Sequence, residues 1–242
     1  MSILVQFLLR LSFGLALGMA VTSPRHVASG YFRNHLYVTL GLATLAALAS
    51  YTAAPAAFWY AVGAAVASYV GSVCWLYEAP RAGRMLLWLV AGAAFLAAWA
   101  GAEPGWLSAA AIVTSGLVLG LTMAAMLLGH WFLNSPGMEL APLRRLLTFI
   151  AVAVAIQAIV CASGVAGHVG QATENSLAWW LFLALRWLFG LVGVAGLVWM
   201  AWQTLKIPNT QSATGILYVA VIGAFVGELT GLLLSAESAF PL

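Results

Sequence analysis

The chain has 242 residues, of which 64% are hydrophobic and only 6% charged, where an ordinary soluble domain carries about a quarter charged. That balance excludes a water-soluble globular domain and points to a polytopic membrane protein. Nine Lys and Arg stand against six acidic residues, all of them Glu, and so small an excess reads as membrane topology rather than as a nucleic-acid footprint; nucleic acid is not expected as a partner.

A membrane span needs about 20 apolar residues. Turn signals and charge clusters divide the sequence into eight such runs, near 3–21, 35–53, 56–77, 84–101, 106–129, 144–163, 177–205 and 213–235. None shows the alternation of a barrel strand, and a continuous apolar run in lipid must satisfy its backbone internally. The expected fold is therefore all-α, a single integral-membrane domain over residues 1–242. The first run resembles a signal peptide in length, but Arg10 interrupts it and no small-residue cleavage site precedes Thr22, so it is expected to persist as a helix.

Small-residue spacing predicts close helix contacts at Gly14 with Gly18, Gly116 with Gly120, and Gly227 with Gly231. The seventh span adds Gly190, Gly193 and Gly196. Cys74 and Cys161 fall near opposite ends of different spans, too far apart to bridge, and are expected to serve as packing residues. A Ser-Pro pair and a polar, arginine-containing linker follow both the first span (Ser23-Pro24, Arg33) and the fifth (Ser135-Pro136, Arg144-Arg145). This repeat would give two four-helix halves of the same orientation.

Orientation follows from the connections. Arg25 and Arg33 lie between spans one and two, Arg81 and Arg84 between three and four, Arg144 and Arg145 between five and six, and Lys206 between seven and eight. The even-numbered connections carry no Lys or Arg. By the positive-inside rule the basic side is the cytoplasm, which puts both termini on the periplasmic side of a bacterial inner membrane.

The seventh span, Ala178 to Lys206, contains five tryptophans and an arginine, Arg186, inside its apolar run. Trp179, Trp180, Trp199 and Trp202 suit the two interfaces. Arg186 needs a partner at membrane depth, where a lone charge costs roughly 2.5–3.5 kcal/mol or more. Counting about 1.5 Å per residue, Arg186 and Glu228 of the eighth span lie at similar depth, roughly 12 Å from the non-basic interface, with Arg10 and Gln157 at a comparable level. This predicts an Arg186–Glu228 pair within a polar layer of two Arg, one Glu and one Gln. Such a pair can simply lock helix register. The concentration of polar groups also lets the layer hold a carbonyl oxygen through Arg or Gln and exchange protons through Glu228, which suits a quinone headgroup, a lipid head or a small anion. Trp187, beside Arg186, can flank a flat ligand or pack against lipid.

The histidines read separately. His35 and His130 end their spans on the basic side, where a bis-histidine b-type haem is geometrically conceivable; solvation or backbone hydrogen bonding is the favoured reading. His26 is expected to be exposed in a basic loop, and His168 to lie in a wet connection with Gln171 and Glu174. The stretch from His130 to Arg145, with two prolines and a glycine, predicts a defined loop that can dock a partner subunit. No CxxC, four-cysteine iron–sulfur pattern, phosphate loop or HExxH is present, so no metal site is expected.

Gly215-Ile-Leu-Tyr followed by Gly227-Glu228-Leu229 resembles the closing helix of the eight-helix quinol-interacting membrane anchor subunits of the DmsC/NrfD type. The stretch His130-x-x-Leu133-x-x-Pro136 is similar to a His-Leu-Gly-x-Pro segment of that family. It departs from the pattern in following the fifth span rather than an early one, in a chain shorter than typical members. The resemblance implies a membrane subunit of a respiratory or related electron-transfer complex, exchanging electrons and protons between quinone and a separate iron–sulfur or cytochrome chain. Two other functions stay open on the residues alone: a small transporter or channel lined by the intramembrane charges, and a scaffold subunit without a ligand.

Overall fold

The computed structural model describes residues 3–242 other than 53, 104, 136, 171–175, 208 and 239. Its regular structure, among these residues, is helical: α1 (Ile3–Val21), α2 (Ser29–Ser50), α3 (Pro55–Leu76), α4 (Pro80–Ala100), α5 (Trp106–Asn134), α6 (Ala141–Val169), α7 (Leu177–Thr204) and α8 (Thr210–Ala236). Seven of them are long and apolar enough to cross a membrane, as expected of a membrane protein in contact with lipid. α2 has the length, 22 residues, but its first two turns carry Arg33, Asn34 and His35, which lower its hydropathy.

Several helices outrun the apolar runs that predict them. α2 starts at Ser29 rather than near 35, α5 continues to Asn134, and α6 covers Ala141–Val169. The reason is that backbone hydrogen bonding continues through the interface, where polar side chains are tolerated and hydropathy no longer marks the helix. Pro55 and Pro80 open α3 and α4, where the missing N–H has no intrahelical partner in any case. Ser176 and Asn209 cap α7 and α8 through side-chain oxygens that accept from Trp179 N and Ser212 N, at 3.2 and 3.0 Å.

α1 and α5 form the centre, each with 78% of its span buried. They meet at glycines: a methyl group on Gly14 would collide with the Gly116 carbonyl, and one on Gly120 with the backbone of Gly14. The sequence spacing within each helix thus serves one contact between them. α2, α3 and α4 pack in succession on one side of α1, while α6, α8 and then α7 cover α5 on the other.

The basic residues gather at one end of the bundle. Arg84 Nε donates to Ala20 O at 3.1 Å and Arg144 Nη2 to Leu205 O at 2.7 Å, so two arginines satisfy carbonyls at the last turns of α1 and α7. His26 is exposed, as expected, and pairs with Glu139 Oε2 at 3.0 Å, which ties the α1–α2 connection to the α5–α6 connection. Gly137 turns that second connection with φ of +99°. Pro136, one element of the suggested internal repeat, lies outside the described residues.

α7 is not uniform. It is α-helical to Leu185, widens to a π-helical stretch over Arg186–Gly193, and resumes as α-helix from Val194. α6 packs along α7 after this stretch, whereas before it the two backbones stand apart and meet through side chains such as His168 on Trp179. The two helices therefore diverge toward the end opposite the basic loops.

Candidate functional site

Arg186 opens the π-helical stretch and reaches across to α8. Its Nη1 donates to Glu228 Oε1 at 2.7 Å, with the two side chains 1% and 2% exposed. The approach of the two helices that makes this reach possible rests on a glycine pair. A methyl on Gly190 would stand 2.6 Å from Gly227 Cα, so no side chain fits between the backbones at the turn beside Glu228. Widening of the helix at a buried charged residue is the local irregularity that π bulges introduce, often at functional sites.

α6 supplies the next two groups from one face, four residues apart. Gln157 Nε2 faces Glu228 Oε1 at 3.5 Å and Cys161 Sγ at 3.7 Å, while Arg186 Nη2 lies 3.5 Å from the same sulfur. The amide nitrogen turns to the carboxylate, and the amide oxygen is left buried without a hydrogen-bond partner; Arg186 Nε is buried without one as well. A buried unsatisfied polar atom is costly in a membrane interior and marks a place where a further group can bind.

Arg10 arrives from α1 and binds neutral groups. Its Nε donates to Gln6 Oε1 at 3.2 Å and its Nη1 to Ser115 Oγ of α5 at 3.2 Å, and Gln6 in turn donates to Ala98 O at 3.0 Å. Arg10, Gln157, Cys161, Arg186 and Glu228 all line one cavity of about 180 Å³. Toward the end opposite the basic loops its wall includes Glu103, Ser108 and the segment Phe240-Pro241-Leu242. That segment folds back into the bundle: Leu242 N donates to Ser235 Oγ at 2.9 Å, and the Pro241 carbonyl occupies the space a side chain on Gly164 would need.

Of the residues singled out in the sequence, Arg186, Glu228 and Gln157 are thus in mutual contact, and Arg10 shares their cavity without touching them. Trp187 takes another position. It lines, with Trp180 and Leu183, an apolar groove between α6 and α7 on the lipid side of Arg186. Cys161 was expected only to pack, yet its sulfur accepts from both Arg186 and Gln157; the i, i+4 spacing from Gln157 is the signal that marks it. The same spacing joins Gln6 to Arg10. Ser115, Gly231 and the returning segment 240–242 carry no such signal, because only tertiary folding brings them here.

No family model, curated protein or solved structure matches the chain. Its chemistry is therefore read from its own geometry.

The histidines stand apart from this centre. His35 is buried with its ring 4.5 Å from that of Tyr31 and 6.3 Å from that of Trp131, whereas His130 Nδ1 lies 3.4 Å from Tyr218 OH. The two rings thus engage different neighbours. His168 belongs to the last turn of α6 rather than to a loop: it stacks on Trp179 at 4.9 Å and its Nδ1 lies 3.1 Å from Ser238 Oγ. Gln171 and Glu174, grouped with it in the sequence, lie outside the described residues. Among the described residues, no three His, Cys, Asp or Glu side chains are grouped to hold a metal ion.

Chemically, the centre offers guanidinium donors for a carbonyl or anionic oxygen, a free amide acceptor for a hydroxyl, and a carboxylate able to take or release a proton. All are held by four helices around a space large enough for a small polar head.

Proposed function

We propose that this chain is an integral-membrane subunit of a respiratory or related electron-transfer complex, and that it holds the head of a quinone or quinol at Arg186, Glu228, Gln157 and Arg10. In this reading all eight helices span a bacterial inner membrane as two groups of four, the basic end faces the cytoplasm, and the polar cavity lies toward the periplasm. Electrons would pass to or from a separate iron–sulfur or cytochrome subunit. The observation that carries the proposal is the unpaired donor and acceptor, Arg186 Nε and Gln157 Oε1, buried beside a 180 Å³ cavity. A quinone carbonyl accepts from the first, and a quinol hydroxyl donates to the second. Glu228, the acidic group of the pair, is placed to exchange one of the two protons that, together with two electrons passed to or from the separate redox subunit, interconvert those two forms. The resemblance of the closing helix to the DmsC/NrfD-type anchors supports the same reading.

The test is to purify the protein from native membranes with its partners and measure quinone-dependent turnover of wild type and Glu228→Gln. The expected results are copurifying redox subunits and turnover lowered by about 10²-fold or more, the scale of a lost acid–base group. Unchanged turnover in an intact assembly refutes the site. A second reading, a small transporter, is favoured by the interruption of α7 at its buried arginine, since transporters place sites at irregular helix segments. It predicts substrate movement into liposomes by this chain alone.

A further inference from the structure

We propose that the groove between α6 and the first half of α7 holds the hydrocarbon chain of the ligand, with the chain running outward from a head held deep in the bundle at Arg186. The inference rests on the function proposed above and adds the class of ligand and its route, an amphiphile arriving sideways from the bilayer.

The groove has a volume of about 590 Å³. One wall is Ala162, Val165 and Ala166 of α6, and the other is Trp180, Leu183 and Trp187 of α7. Both sets follow the i, i+3, i+4 spacing of a single helix face. Neither helix closes the gap, since α6 and α7 diverge before the π-helical stretch. At membrane depth no water fills such a space, so its occupant is hydrocarbon.

The deep end of the groove identifies which hydrocarbon. There Ala162 and Trp187 are immediately preceded in the chain by Cys161 and Arg186, respectively, whose Sγ and Nη2 are 3.5 Å apart. Neighbours on a helix point about 100° apart, so Ala162 and Trp187 face the groove while Cys161 and Arg186 face the cavity behind it. The partition between them is that thiol–guanidinium contact together with Leu183, which packs inward on Leu234 and Leu242. A phospholipid chain entering from the near interface would carry its head at the open, outer end. The polar groups in need of partners, Arg186 Nε and Gln157 Oε1, lie just behind the inner end instead, across the Arg186–Cys161 contact that an entering head must part. An amphiphile with its head deep and its chain directed outward, such as a quinone on a long apolar tail, satisfies both ends.

The experiment uses the purified protein with its native partners in phosphatidylcholine nanodiscs and two probes. One is a dimethoxy-methyl-benzoquinone with a decyl chain; the other is tetramethyl-benzoquinone, which has none. Ala166→Trp fills the groove from a lipid-exposed position, and Ala162→Leu narrows its deep end with a smaller side chain if the first variant assembles poorly. The expected result is that each variant weakens the decyl compound, by about tenfold for Ala166→Trp, the loss of roughly two buried methylenes, and leaves tetramethyl-benzoquinone unchanged. Equal affinities of the decyl compound for variants and wild type overturn the groove assignment, as does equal weakening of both probes. Failure of both quinones to bind wild type removes the proposed function itself, and the inference with it.

Discussion

Replacing Glu228 by leucine tests the centre of this structure most directly. The wild-type pair is separated by 2.7 Å with its two side chains 1% and 2% exposed. At an effective dielectric of about 20, that separation corresponds to a gross attraction of about 6 kcal/mol, much of which is offset by the several kcal/mol needed to desolvate each ion. The variant loses the attraction and keeps the desolvation of Arg186, which among the described residues has no other ion-pair partner and cannot shed its proton. The expected cost is about 3–5 kcal/mol, or a midpoint lowered by about 6–20 °C for a chain of this size. Thermal unfolding of the detergent-solubilised protein, followed by circular dichroism and by retention of a monodisperse elution peak, measures it. The double variant Arg186→Met/Glu228→Leu removes both charges from similar volume and is expected to recover most of the loss. A Glu228→Leu midpoint within about 3 °C of wild type, roughly 1 kcal/mol, refutes the claim that the pair is buried and coupled; so does a double variant no more stable than the single.

Two further predictions follow from the helix contacts. Gly227→Leu places a side chain where Gly190 Cα now stands; it is expected to part α7 from α8, destabilise by about 1–3 kcal/mol or more, and make Cys161 more reactive to a small maleimide in a Cys74→Ser background, whereas Gly196→Leu, at a glycine with open space beside it, changes neither. Gly14→Val drives into the Gly116 carbonyl at the α1–α5 contact and is expected to lower the yield of folded protein far more than Gly41→Val, which meets nothing within 4 Å, as measured by the monodisperse fraction after extraction.

Much of the architecture is legible in the residues because a bilayer limits the options so severely. Apolar runs of span length must be helical, and clusters of Arg and Pro show where they stop. The depth count that put Arg186 level with Glu228 needed only the 1.5 Å rise of a helix and a short connection between neighbours. It worked because an ionised group at that depth has few solutions. The same reasoning falls short where side chains fold across interfaces. His26 is exposed, as its basic loop implies, but its pairing with Glu139, more than a hundred residues distant in the chain, carries no sequence signal. His168 was read as a loop residue because hydropathy fades before helix α6 ends.

What the sequence by itself determined is the helical class, the length and approximate limits of the spans, and the level of the buried charges, each a consequence of satisfying backbone and ionic groups in hydrocarbon. Only the tertiary structure decided how the helices face one another. Glycine contacts between α1 and α5 and between α7 and α8 set the rotations. At the π-helical stretch Arg186 faces Glu228 while the partly buried Trp187 lines the groove, and the divergence of α6 from α7 opens that groove, which no single helix encodes. Those features depend on which surfaces approach within backbone distance, and that is a property of pairs of helices, invisible in the periodicity of either one.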